Sequence, residues 1–155
     1  MAIKHATTKS SGDKGLASEW NDDHLLENIS IEETSSDYGI GDTWDDLQGM
    51  SKTFTLATKS KVLILFNGTI ENTDTGAFRF EDQVRIVIDS VLQDGTVKKF
   101  KPYGTVTDWQ GGRWTLGTQH LVELDVGEHT IKIQAKCDVV FEHWYKEKSM
   151  IIIAI

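Results

Sequence analysis

Three stretches of this sequence carry side chains whose types and spacing could do chemistry. The first is GLASEWNDDHLLEN, residues 15–28, which sets Trp20, Asn21, two adjacent carboxylates and His24 in a polar leader. Imidazole and carboxylate are metal ligands, but Asp22, Asp23 and His24 are sequence neighbours whose side chains diverge, so they do not close on one ion. Two compatible readings remain. Asn21 or Asp22 N-caps a short helix, with Asp23 in its first turn and Leu25 and Leu26 as the apolar contact. Alternatively the stretch is a docking peptide anchored by Trp20, since a tryptophan filling a pocket dominates a small interface. The second stretch places Trp109, Arg113 and Trp114 around a QGGR turn. Two indoles there could form a stacking platform for a sugar, or one could be core and the other its cover. The third is FEHWYKE, residues 141–147. His143, Trp144 and Tyr145 there either read a receptor or glycan from a loop or pack on one another to cap the domain.

Other chemistry is not indicated. The five histidines, His5, His24, His120, His129 and His143, lack ligand spacing. Asp42, Asp45 and Asp46, and Asn72 with Asp74, are oxygen-rich without the grammar of a calcium loop, so they read as solvated carboxylates. The sequence has no phosphate loop, nucleophile elbow or HExxH motif. Cys137 is the sole cysteine. It excludes an intrachain disulfide, and its alternation with Ile131, Ile133 and Ala135 makes it a small buried hydrophobe rather than a nucleophile. The expectation is therefore no metal, no cofactor and no enzyme. The one chemistry such a reading leaves open is a pair of carboxylates brought together in space.

The net charge of −8 over 155 residues argues against nucleic acid and anionic membranes as partners. The longest apolar runs, VLILF and MIIIAI, are too short to span a bilayer. The first residues, MAIKHATTKSSGDKG, contain no apolar core of a secretory signal, so synthesis in a cytoplasm is expected.

The elements that must position these residues are strands. Hydrophobic residues make up 39% of the chain and charged residues 26%, a globular balance with enough length for one core. Period-two alternation predicts strands over Thr53–Thr58, Lys61–Ile70, Val84–Leu92, Val97–Val106, around Leu121–Leu124, over Ile131–Cys137 and over Met150–Ile155. Asp94-Gly95 and Gly127 mark turns. No segment in this region has helical periodicity. The pattern predicts an all-β, antiparallel β-sandwich over residues 37–155, preceded by an extended leader, residues 1–36.

Two strands break the rule that a sandwich strand has one wet face. Val62, Ile64 and Phe66 take one side of their strand, yet Leu63 and Leu65 make the other side apolar. Met150–Ile155 is apolar on both sides. Either loops or the N-terminal leader cover the second face, or Leu63, Leu65, Ile151, Ile153 and Ile155 are buried between subunits of an oligomer.

The run of LILFNGTIEN, VRIVIDSVLQDG, LDVGEHTIKIQAK and MIIIAI resembles the compact jelly roll of the complement C1q and tumour-necrosis-factor-like families and of phage fibre domains. That resemblance implies a last strand near a threefold axis, hence a homotrimer. GLASEWNDDH resembles a leader found in phage tail and fibre proteins, with Trp20, Asn21, Asp23 and His24 matching its Trp-Asn-x-Asp-His core. Together these resemblances imply a non-enzymatic virion protein, a tail or fibre accessory or a capsid decoration. Its leader would dock on other virion proteins while the jelly roll meets a host-surface glycan. The rival expectation is a free carbohydrate-binding or cytokine-like module.

Overall fold

A computed structural model describes residues 27–34, 38–72, 81–101, 112–138 and 143–155, and for 27–34 it describes the backbone. Ten strands are formed: β1 (Glu27–Thr34), β2 (Tyr38–Ile40), β3 (Asp45–Leu56), β4 (Ser60–Asn72), β5 (Asp82–Ile88), β6 (Val91–Leu92), β7 (Lys98–Phe100), β8 (Arg113–Leu124), β9 (Gly127–Cys137) and β10 (His143–Ala154). They make two antiparallel sheets. The first has the order β1-β10-β4-β8, with the short β2 also on β10. The second has the order β3-β9-β5-β6, with β7 also on β5. From β3 to β5 and from β7 to β10 successive strands alternate between the two sheets, as in a jelly roll.

The two sheets bury one continuous core. Val62, Ile64, Phe66, Met150 and Ile152 from the first sheet face Val84, Ile86, Ile131, Ile133 and Ala135 from the second. Alternation anticipates these inward sets, including the fully buried Cys137.

Several elements differ from the sequence expectation for identifiable reasons. Residues 27–34, at the end of the expected leader, pair along β10 from Ala154 to Lys148. The leader's Trp20, Asn21, Asp23 and His24 lie outside the described residues. The expected strand Val84–Leu92 is a hairpin broken at Asp89 and Ser90, whose φ values are 50° and 67°. Successive positive φ angles match the twist of a two-residue hairpin, and asparagine or glycine is the usual signal for it. Here an aspartate does the job: Asp89 accepts from the Thr130 backbone N–H (2.7 Å) and contacts His129. The Gly127 turn joins β8 to β9 across the sandwich, because β8 lies in the first sheet and β9 in the second. It is a corner between sheets, and the glycine's φ of 138° supplies the bend.

The most consequential irregularity is in β10. Its register against β4 shifts between Tyr145 and Glu147. This bulge reverses the parity of the strand. Met150, Ile152 and Ala154 point inward on one side of it, and His143 and Tyr145 do so on the other.

Candidate functional site

The bulge in β10 brings His143 and Tyr145 into the interior, where they meet residues from β4, β5, β8 and β9. Asp82 opens β5 and is paired in register with Cys137, the last residue of β9. His143 Nδ1 lies 2.9 Å from Asp82 Oδ1 and 3.6 Å from Cys137 Sγ. Trp114, from β8, donates its indole N–H to the other Asp82 oxygen at 3.1 Å. Its ring stacks on Phe100 at 5.1 Å and meets His143 edge-on at 5.6 Å. Asp82, Cys137 and His143 are all buried. One donor atom from each lies within 4.8 Å of the others.

Tyr145 completes the cluster. It is wholly buried, and its hydroxyl is the one buried side-chain polar atom among the described residues with no hydrogen-bond partner. Burial, and then the charges of Asp82 and Cys137, push its pKa well above the ordinary tyrosine value, so the phenol stays protonated. Gly68 positions the ring: a Cβ there would lie 2.6 Å from Tyr145 Cε1, so only glycine admits the aromatic plane against β4. Phe66 packs beside it at 6.3 Å.

The residues expected to read a ligand are therefore divided. His143 and Tyr145, expected on a loop, are buried residues of strand β10. Trp114 is half-buried, with its N–H and one face engaged internally. Arg113 is exposed and paired with Glu71 at 3.1 Å. Trp144 is half-buried beside Gly39, with Lys146 Nζ 5.9 Å from its ring. Trp109 lies outside the described residues. Sequence parity could not find the buried cluster, because a bulge is invisible to alternation and the three metal-ligand types sit on three different strands.

The expected interface residues do share one surface. Across the outer face of the first sheet, Ile153, Leu63 and Leu121 form one row, and Ile151, Leu65 and Gln119 form the next. Leu63, Leu65, Ile151 and Ile153 are half-exposed, while Leu121 is 56% and Ile155 50% exposed. Lys61 and Glu123 flank this patch at one end of the strands and Asn67 and Ser149 at the other. Beside it lies an open cleft of about 450 Å³, bounded by Leu65, Asn67, Gly117, Gln119, Ser149 and Ile151, among others.

The outer face of the second sheet is built differently. Arg85 stacks over Trp44 at 4.1 Å and bonds Gln134 through two nitrogens. Asp46 accepts from Lys132 (2.6 Å) and Gln134 (2.7 Å). The Lys132 bond, then the Gln134 bond, hold the Asp46 carboxyl below its ordinary value.

No family model matches the chain, and no curated protein matches it. Solved structures similar to it include a family 35 carbohydrate binding module from an environmental isolate, at 14% identity and TM-score 0.35, covering 79% of this chain and 92% of that one. Eiger TNF from S. frugiperda is similar at 5% identity and TM-score 0.41, covering 83% and 94%. A chain of infectious bursal disease virus, Gx strain, is similar at 8% identity and TM-score 0.42; the match covers 81% of this chain but 32% of the viral one.

Proposed function

We propose that this chain is a non-enzymatic structural module of a phage virion, a tail or fibre accessory or capsid decoration protein, that self-associates as a homotrimer. The observation that carries self-association is the outer face of the first sheet: an apolar patch of Leu63, Leu65, Leu121, Ile151 and Ile153 bounded at both strand ends by polar residues. An apolar middle bounded by polar residues is the anatomy of a protein interface. A second copy is the occupant that satisfies this face without any further component, and closed symmetric oligomers are the common way to bury such a patch. The neighbouring cleft offers a recess for a side chain of the facing copy. The virion assignment rests on the leader resemblance, with Trp20, Asn21, Asp23 and His24 as the docking element for other virion proteins.

Light scattering of the full chain tests the reading. A trimeric mass that falls to the monomer in a Leu65→Ser, Ile151→Ser double variant is expected. A monomeric mass for the unmodified chain at high micromolar concentration would overturn it.

A further inference from the structure

The interior cluster at the β5–β9–β10 junction has no place in the assembly reading, and its composition is unusual for a sandwich core. Polar groups are buried in an apolar interior only at a cost, which partners must offset. Asp82 has two such partners, Trp114 and His143. The Tyr145 hydroxyl has none among the described residues. The cluster thus joins an imidazole, a carboxylate and a thiol, with donor atoms within 4.8 Å of one another, and a fully buried hydroxyl left over.

We propose that Asp82, Cys137 and His143 bind a structural Zn²⁺ ion, supported by the Tyr145 hydroxyl. The donor set is the first reason. Sulfur, nitrogen and oxygen donors together suit zinc, a borderline-soft ion, better than the hard ions that take oxygen alone. Spacing is the second. Around a tetrahedral zinc, donors at about 2.0–2.3 Å from the metal lie roughly 3.5 Å from one another. The Cys137–His143 separation is already 3.6 Å, and the Asp82–His143 contact of 2.9 Å needs to open slightly. Charge is the third: a thiolate and a carboxylate around a divalent cation leave the buried site neutral. Binding releases the thiol proton to water. Metal binding through Nδ1 needs that nitrogen's lone pair, so in the zinc-bound site the imidazole proton would sit on Nε2. The Tyr145 O–H then gains an acceptor in the ligand set.

The placement defines what the ion does. Asp82 and Cys137 belong to the second sheet, and His143 and Tyr145 to the first. Zinc would clasp the sheets together at one end of the sandwich, and its binding energy would be folding energy.

Cobalt substitution of the full chain gives the sharpest test. Cys137 is the only thiol in the protein. A thiolate-to-cobalt charge-transfer band, displaced by one equivalent of zinc, is therefore expected from this site and no other. Zinc titration of the chelator-treated chain should also raise the melting temperature. Cys137→Ser should abolish the band. Tyr145→Phe removes one oxygen from the core and should weaken zinc binding about tenfold or more, as losses of supporting groups do. In a purely structural cluster that substitution would leave zinc affinity unchanged, because it deletes only an unsatisfied hydroxyl. Absence of the cobalt band, zinc binding that survives Cys137→Ser, or zinc affinity unchanged in Tyr145→Phe would each overturn the proposal.

Discussion

The two sheets bury equivalent inner faces yet present opposite outer ones. In the second sheet the central outward polar side chains have local partners: Arg85 with Trp44 and Gln134, Asp46 with Lys132, Thr53 with Thr130 at 2.8 Å, Lys99 with Glu81, and the exposed aliphatics Val91 and Leu92 sit on its short edge strand. In the first sheet the central outward positions are aliphatic. A face of paired polar groups is complete in water, whereas an aliphatic one gains free energy when covered. That difference is what the proposed self-association rests on: the face without internal polar pairing is the one a second copy would cover.

That comparison can be broken first at its shared part, the inner faces. Ile64→Ala in the first sheet and Ile133→Ala in the second should each cost about 2–5 kcal/mol, because both side chains are wholly buried. Denaturant unfolding monitored by tryptophan fluorescence measures this. A loss confined to one sheet would mean that the two layers do not share one core.

The outer faces should then part company. Leu63→Ser or Ile153→Ser should weaken self-association by at least about tenfold, equivalent to about 1.4 kcal/mol. Sedimentation equilibrium over a dilution series reads the shift. Trp44→Ala on the second sheet should leave the mass unchanged and cost about 0.5–1 kcal/mol of stability through the lost cation–π contact. If Trp44→Ala dissociated the oligomer and Leu63→Ser did not, the faces would have been assigned the wrong way round.

The smallest effect is a pH dependence. His129 lies on β9 with Nδ1 2.8 Å from Asp89 Oδ2 and Nε2 2.9 Å from the Asp125 carbonyl. Both ring nitrogens face acceptors, and only the protonated ring donates from both. The bond to Asp89, then the one to Asp125, raises the His129 pKa above its ordinary 6.5. A raised folded-state pKa means stabilisation that is full below the unfolded value and fades as pH rises through the folded one. Stability should therefore decline modestly above about pH 6.5, and Asp89→Asn should flatten that slope. Thermal melts of the two proteins from pH 5 to pH 9 would show it; an unchanged slope in Asp89→Asn would count against the pair.

Much of the fold was legible because strand periodicity is local. The alternation of Ile131, Ile133, Ala135 and Cys137 against lysine and glutamine needs no tertiary context to name an inward face. The two-sided strands at Val62–Phe66 and Met150–Ile155 likewise announced a second apolar surface. The site was less legible. Trp109 and Trp114 read either as a stacking platform or as a core residue and its cover, and strand parity could not choose; the structure turns the Trp114 N–H to Asp82 in the interior. His143 and Tyr145 looked like loop aromatics because nothing in HWYKEK marks where a strand begins or where a bulge falls.

By itself the sequence determined the strand pattern, the inward identity of most core residues and the existence of a second aliphatic strip on two strands. Tertiary structure alone decided which strands are neighbours, that the Gly127 turn crosses between sheets, and that Asp82, Cys137, His143 and Tyr145 meet. The physical reason is range. Side-chain alternation follows from the backbone of a single strand. Convergence of residues 82, 137 and 143 depends on pairing β5 with β9, on packing one sheet over the other, and on the extra residue in β10 that turns two polar aromatic side chains inward.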